Sequence, residues 1–132
     1  MKSVTDEFCF LLKPSKYGVG VFAVHGIKKG TFLRLFGDEK KLSDRSIERK
    51  RKTIPKIFQQ YCIIQGDWVI SPRNFSHMTV GWYLNHSVKP NAVRDKSYHW
   101  YALRNIKKDE EITIDYNSLE EPEIFKEAYY RK

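Results

Sequence analysis

The side chains best suited to chemistry lie in one run, Leu84-Asn85-His86-Ser87-Val88-Lys89-Pro90-Asn91. The polar part of this run begins at Asn85 and follows residues 81–84, whose aromatic and aliphatic bulk favours a β-strand. Short polar side chains bond to their own backbone and interrupt regular structure, and Pro90 restricts both its own φ and the conformation of Lys89. The pattern predicts a strand that ends in a rigid polar loop able to position ligand-binding groups. Taken singly, the two asparagines are also typical of turns, and His86 of a structural histidine.

Two other motifs flank this run at a distance. Gly18-Val19-Gly20 lies near the start of the chain, and Asp109-Glu110-Glu111-Ile112-Thr113-Ile114-Asp115-Tyr116-Asn117 lies downstream. With Ala23, the first motif also spells a dinucleotide-binding fingerprint, which must open a helix. Residues 21–24 instead favour a strand that ends at His25-Gly26. We therefore expect the glycines to let the backbone approach a ligand closely.

The order Gly-x-Gly, Asn-His-Ser-x-x-Pro-Asn and Glu-Glu-Ile-Thr-x-Asp-Tyr resembles the SET domain of protein-lysine methyltransferases. The likeness runs from about residue 8 to residue 117. It implies a mainly β protein with the SET-type β-clip fold, in which the segment after the Asn-His motif passes through a loop to form a knot-like core. Residues 1–132 would form a single SET-like domain with its core at about 8–117 and short helices in the central insert and at the C-terminus.

The same resemblance implies an activity, the transfer of a methyl group from S-adenosyl-L-methionine to a protein lysine. Tyr116 matches the catalytic tyrosine of the family, and Glu111 and Asp115 are expected to be structural, satisfying backbone groups nearby. The positions expected to bind the cofactor are Lys16, Gly18, Val19, Gly20, Asn85, His86 and Tyr116.

Aromatic side chains are candidates for a lysine channel, although most of them are better suited to a core. They are Tyr61, Trp82, Tyr83, Trp100 and Tyr101. Ile114 is also expected to line the channel, because it occupies a position that is aromatic in some family members and influences how many methyl groups are added. The chain departs from the family in having Val88 where a cysteine is common and Trp82 where an arginine is frequent. Because it also lacks a cysteine-rich C-terminal segment, we expect no metal site.

Composition limits the class of protein. The 132 residues fit one domain, and 41% hydrophobic residues suffice for a small core. No stretch approaches the ~20 apolar residues of a membrane span, and the first residues lack a secretory pattern. We expect an intracellular protein, cytoplasmic or nuclear, with no membrane partner. Cys9 and Cys62 lie in apolar surroundings without paired spacing and are predicted to be buried free thiols.

The net charge of +8 leaves a second interpretation open. Six basic residues lie close together in the middle of the chain: Arg45, Arg49, Lys50, Arg51, Lys52 and Lys56. Such runs are usually a solvated face, but they also suit nucleic acid. The first interpretation is an enzyme that acts on a lysine-containing protein, a histone or another. The alternative is a SET-like module that has lost turnover and binds protein or nucleic acid. A small β-type RNA-binding domain is a third alternative.

The remaining patterns predict individual elements. Residues 8–12 predict a buried strand, 43–56 a helix, and 121–130 a C-terminal helix with proline in its first turn. Hairpins are expected around Gln65-Gly66-Asp67 and Asp95-Lys96-Ser97. Residues 22–30 and 101–109 repeat each other in chemical type, and Gly26 and Asn105 share the slot expected to be left-handed.

Overall fold

The computed structural model describes residues 3–16, 18–36 and 46–119. This part of the chain is mainly β, with three small sheets and short helical turns, as the sequence predicted. The strands are β1 (Phe10–Ser15), β2 (Gly18–Ala23), β3 (Phe32–Leu33), β4 (Ser46–Lys50), β5 (Ile63–Gln65), β6 (Trp68–Pro72), β7 (Asn85–His86), β8 (Ala92–Arg94), β9 (Trp100–Ala102) and β10 (Glu111–Ile114). Helix α1 spans Lys56–Gln59, and 3-10 helices span Arg51–Thr53, Val80–Tyr83 and Tyr116–Leu119. The predicted helix at 121–130 lies outside the described residues.

The first sheet brings distant parts of the chain together in the order β1-β2-β10-β7. Strand β10 is antiparallel to β2, with Ile112 opposite Val21, and parallel to β7, with Thr113 opposite Asn85. Parallel neighbours require a long crossover connection, which here is the segment between β7 and β10. The late strand β10 therefore joins the Gly-x-Gly strand to the Asn-His strand.

Strand β1 lies at the edge of this sheet, and the prediction of a buried strand at residues 8–12 was wrong. Leu11 and Leu12 are largely exposed, and Phe8 precedes the strand. The strand also continues through Pro14, which pairs with Val19. Proline is tolerated at a sheet edge because the missing N–H has no partner to lose.

The two copies of the repeat pair with each other around a local two-fold axis. Ile27 and Ile106 exchange both backbone hydrogen bonds, each 2.8 Å. The Ala23 carbonyl accepts from the Asp109 N–H, and the Ala102 carbonyl accepts from the Gly30 N–H, again at 2.8 Å in both cases.

The left-handed positions of the repeat are not where the sequence predicted them. The positive φ angles are at Gly30 (85°) and Asp109 (66°), the last slot of each copy, and Gly26 and Asn105 have none. Gly30 and Asp109 each lie in a turn with the same backbone hydrogen bond. The Lys28 carbonyl accepts from the Thr31 N–H, and the Lys107 carbonyl accepts from the Glu110 N–H. The Asn105 carboxamide instead accepts from the Lys29 N–H at 2.8 Å.

The insert sheet, defined as β4-β6-β5, replaces the helix predicted at 43–56. Within the described residues of that range, Ser46–Lys50 is a strand that pairs along its whole length with β6. Helix formers in this stretch were misleading because pairing with a neighbouring strand overrides local propensity. The hairpin predicted at Gln65-Gly66-Asp67 is confirmed, and its φ of 68° at Gly66 shows why glycine is present. The hairpin joining β8 to β9 is also confirmed.

Residues 81–84 form no strand, contrary to prediction. Val80–Tyr83 is a 3-10 helix, and Gly81 packs so closely on the Phe36 ring that an added Cβ would lie 2.5 Å from it. The strand begins only at Asn85, because the parallel partner β10 is available there. The strand is thus formed by Asn85 and His86, within the polar motif itself.

In the part of the chain that the structure describes, two hydrophobic clusters hold these sheets. The main core consists of buried side chains from five strands and from the segments between strands: Cys9, Val21, Ala23, Ile27, Leu33, Leu35, Leu84, Ala92, Trp100, Ala102, Ile106, Ile112 and Ile114. The insert core is smaller and consists of Ile54, Ile64 and Val69, with Cys62 and Phe75 against it.

Both cysteines are free, as predicted, but only Cys9 is buried, and Cys62 is half-buried. Burial raises the pKa of each thiol from 9.0 to about 11. Among the described residues, no helix has the length and apolar character needed to cross a membrane.

Candidate functional site

The three sequence motifs meet on three adjacent strands. Gly18-Val19-Gly20 begins β2, Asn85-His86 forms β7, and β10 between them leads into Tyr116. The side-chain amide of Asn85 donates to the Val19 carbonyl at 3.1 Å. The Tyr116 N–H donates to Nδ1 of His86 at 3.0 Å. Each motif therefore contacts at least one other directly.

A polar cluster buried beneath the glycines fixes the Asn85 side chain. Its amide donates to Oε2 of Glu111 at 2.8 Å and lies 3.3 Å from the Ser15 hydroxyl. The Ser15 hydroxyl donates to the same carboxylate at 2.9 Å. Hydrogen bonds to an ionised carboxylate are the stronger kind. Glu111 thus holds two side chains of the site in place, and its partners are side chains and not the expected backbone groups.

Gly20 allows this cluster to form. A Cβ on Gly20 would lie 2.3 Å from Oε2 of Glu111 and 3.0 Å from Nδ2 of Asn85. The space that glycine leaves at this position is therefore filled by the protein itself.

Gly18 differs from Gly20. Its φ is +104°, and an added Cβ would meet nothing within 4 Å. Gly18 is exposed at the start of β2 and follows Lys16, which lies in the turn after β1. Of the two glycines, Gly18 is the one with room for another molecule to approach the backbone.

Tyr116 is held at both ends. Its ring lies 5.4 Å from the His86 ring, and its hydroxyl donates a short hydrogen bond to the Leu84 carbonyl. Asp115 accepts from the Asn117 N–H at 2.9 Å and so caps the 3-10 helix that begins at Tyr116. This agrees with the structural role predicted for Asp115. The result is a fixed pair of oxygen atoms, one phenolic and one carbonyl, beside the Asn-His strand.

Asn91, the last residue of the polar run, anchors β10. It is 1% exposed, its Nδ2 donates to the Glu111 carbonyl at 2.7 Å, and its Oδ1 accepts from the Thr113 N–H at 2.9 Å. The motif therefore supplies both a strand beside the site and the side chain that secures the neighbouring strand.

The sequence model of the SET domain matches residues 18–117 of this chain. The chain belongs to the SET domain family. The crystal structure of a Plasmodium falciparum protein described as a "putative histone methyltransferase" is similar at 28% identity. The likeness covers 81% of this chain and 96% of that one, with a TM-score of 0.51. No curated protein sequence matches.

Within this SET fold, the residues predicted to form the lysine channel separate into groups. Tyr61 and Tyr83 contact each other edge to face at 5.3 Å, and Tyr83 also packs against the main core. Trp82 contacts Phe36, and Tyr101 contacts Phe32. Trp100 and Ile114 are 4% and 3% exposed and belong to the main core. The structure therefore brings Tyr61 and Tyr83 together but buries Trp100 and Ile114.

Sequence reasoning missed two contributors to the site. Ser15 carries no motif, since serine is common at strand ends, and only the pairing of β1 with β2 brings it to Glu111. Leu84 contributes its backbone carbonyl, for which the side chain gives no signal. Among the described residues there is no group of three or more potential metal ligands.

Proposed function

We propose that this SET domain transfers a methyl group from S-adenosyl-L-methionine to the side-chain amine of a protein lysine. Membership of the family and the methyltransferase neighbour support the reaction class. The observation that carries the proposal is the fixed pair of oxygen atoms on Tyr116 and Leu84, adjoining Asn85-His86. The name of the neighbour makes histone tails the first lysine-containing substrates to test.

The residues present fit this methyl donor. A methyl group on a cationic sulfonium has C–H groups that favour oxygen acceptors, and the Tyr116 hydroxyl and Leu84 carbonyl are two such atoms. Gly18 has open space, and Lys16 carries the charge that suits a carboxylate. We infer that Lys16, Gly18, Val19, Asn85, His86 and Tyr116 hold the cofactor, whereas Gly20 acts through Glu111. When bound, the cofactor supplies the electrophilic methyl group.

The lysine must reach this point as a neutral amine. Its usual pKa of about 10.4 lies ~3.4 units above pH 7, which corresponds to ~4.6 kcal/mol. Apolar surroundings disfavour the charged form and lower this pKa. Tyr61 and Tyr83 are the aromatic pair suited to supply such surroundings. Tyr116 then orients the amine. Holding the amine and the methyl donor in line accounts for a large part of the rate enhancement in such a reaction.

Tyr116→Phe tests the proposal. The variant keeps the ring against His86 but loses the hydroxyl that fixes the reacting geometry. We expect turnover to fall about 100-fold, the scale expected for misplacing reacting atoms, while cofactor affinity changes less than about threefold. A peptide array that includes histone tails, read by mass spectrometry, measures turnover, and calorimetry measures affinity.

The matched control is Tyr98→Phe, which removes a phenolic hydroxyl from the β8–β9 hairpin and keeps the ring that stacks on Arg94. Its turnover should equal that of the wild type. Undiminished turnover in Tyr116→Phe would remove Tyr116 from the mechanism. A wild-type chain that binds no cofactor and methylates no peptide would instead support a binding module without turnover.

A further inference from the structure

A basic groove of about 650 Å³ lies on the insert sheet, on strands that carry none of the three motifs. It combines three cationic side chains with an indole, a carboxylate and an amide. Its lining residues are Lys50, Arg51, Lys52, Gln59, Asp67 and Trp68. This volume is in the range of small-molecule and nucleotide sites.

Pairing of β4 with β6 builds the floor of the groove. Lys50 lies opposite Trp68, and the Arg51 N–H donates to the Asp67 carbonyl at 2.7 Å, which extends the pairing by one residue. The 3-10 helix at Arg51–Thr53 then turns the chain, so that Lys52 and the following helix α1 form the wall.

Hydrogen bonds hold this wall in place. Gln59 accepts from Nε of Arg51 at 3.1 Å and donates to the Ile54 carbonyl at 3.0 Å. Ile54 is buried in the insert core. Because the wall is already ordered, a ligand that enters the groove meets little cost of ordering the protein.

The basic run divides into a structural and an open part. Arg49 donates to the carbonyls of Pro72 and Arg73 at 3.2 and 2.9 Å and lies over the Phe75 ring. Lys50 and Lys52 are exposed, and Trp68 is 46% exposed, an unusual position for an indole. The groove therefore presents two exposed lysines, Lys50 and Lys52, beside Arg51, whose Nε donates to Gln59.

We propose that this groove binds single-stranded nucleic acid, with phosphates on Lys50, Arg51 and Lys52 and an unpaired base stacked on Trp68. Cations that track the backbone beside an aromatic ring are the combination by which proteins hold single strands. Lys50 Nζ lies 5.9 Å from the Trp68 ring centre, so one nucleotide can contact both side chains. Asp67 and Gln59 add polar groups suited to base edges.

Other partners use this surface less well. An acidic peptide would meet the cations, but it carries no base that could stack on the indole or donate hydrogen bonds to Asp67. A basic tail would be repelled by three cations. A duplex keeps its bases stacked inside, away from Trp68. Binding here rests on the groove alone and is independent of methyl transfer.

The test is fluorescence anisotropy with the full chain and a labelled 12-nucleotide oligouridine. We expect saturable binding whose log K falls against log salt with a slope of about −2, corresponding to three phosphate contacts. Trp68→Ala should weaken binding about tenfold, whereas Trp68→Phe, which keeps an aromatic face, should stay within about threefold. Lys52→Glu should weaken binding about tenfold and make the dependence of log K on log salt less steep.

Lys108→Glu is the matched control, because it makes the same charge change at an exposed lysine outside the groove. Because Lys108 is not among the residues that line the groove, this variant should bind nearly as the wild type does. Thermal unfolding checks that each variant is folded. If Trp68→Ala does not fold, the proposal is judged on the affinities of Trp68→Phe and Lys52→Glu.

Four results would overturn the assignment. They are no saturable binding at 50 mM salt, an equal loss in Lys108→Glu, no loss in a folded Trp68→Ala, and equal affinity for a 12-residue polyglutamate or a duplex. The last result would reassign the groove to an acidic peptide or to duplex nucleic acid.

Discussion

Gly20 is the residue on which the packing beneath the Asn-His motif depends. In Gly20→Ala the new methyl group would lie 2.3 Å from Oε2 of Glu111, so the carboxylate must move away from Asn85 and Ser15. We expect a loss of about 1–3 kcal/mol in the free energy of unfolding, the usual cost of overpacking. Urea unfolding followed by circular dichroism measures it.

Gly26→Ala is the control for this substitution. A Cβ on Gly26 would lie 3.7 Å from the Ile106 carbonyl, an ordinary contact, and its φ is not positive. Its stability should change by less than about 0.5 kcal/mol. In a Glu111→Ala background the cost of Gly20→Ala should fall, because neighbouring groups are energetically coupled. An unchanged cost in that background would show that Glu111 is not the obstacle.

At the level of residues, the sequence predicted the side chains of the candidate site better than its backbone groups. Asn85, His86 and Tyr116 were identified through the resemblance of their motifs to the SET family, and the structure brings them together. Leu84 acts through a carbonyl that every residue has, and the left-handed slot of the repeat fell at Gly30 and Asp109. Backbone geometry depends on which strands pair, and residue type alone does not determine this.

At the level of elements, one carboxylate fixes the turn that leads into β10. Glu110 accepts from Arg104 at 2.6 Å, from the Lys107 N–H at 2.9 Å and from Asn91 at 3.2 Å. The hydrogen bond from Arg104, followed by those from Lys107 and Asn91, lowers the pKa of Glu110 from 4.5 to about 2. A lowered pKa contributes stability above pH 4.5, and that stability is lost as the pH falls from 4.5 towards 2.

Arg104→Met should raise the pKa of Glu110 towards its usual value, because it removes the main cause of the shift. Stability should then fall less steeply between pH 4.5 and pH 2 than in the wild type. NMR titration of the Glu110 carboxyl carbon and urea unfolding across this range measure both effects. Lys108→Met, which removes a nearby exposed cation, is the control and should leave the titration unchanged. A midpoint that stays near 2 in Arg104→Met would contradict the assignment.

The two hairpins with clear turn residues were predicted well, whereas strands whose partners lie far away in the sequence were not. The β5–β6 and β8–β9 hairpins followed from turn residues. Strand β4 was predicted as a helix, because its charged residues favour helices locally and its partner β6 lies eighteen or more residues away. Strand β7 was displaced for the same reason, since its partner β10 lies still further along the chain.

For the whole molecule, the order of the three motifs was enough to predict the family and the mainly β fold. The order of the motifs did not predict which strands bring them together. Strand β10 pairs with β2 on one side and β7 on the other, and the repeat hairpins pair around Ile27 and Ile106. Both are contacts between residues far apart in sequence, which periodicity along the chain does not report.

The two hydrophobic clusters predict that the insert sheet opens separately from the rest of the molecule. Val69 is fully buried in the insert core, and Ile112 is fully buried in the main core. Val69→Ala should cost about 2 kcal/mol and lower the hydrogen-exchange protection of β5 and β6 amides about 30-fold, with little change in β2 and β10. Ile112→Val is the reciprocal control and should lower protection in β2 and β10 while leaving the insert sheet unchanged. Equal losses in both sheets from Val69→Ala would show that the two clusters unfold as one unit, in which case an ordered groove at β4 and β6 would depend on the main core as well.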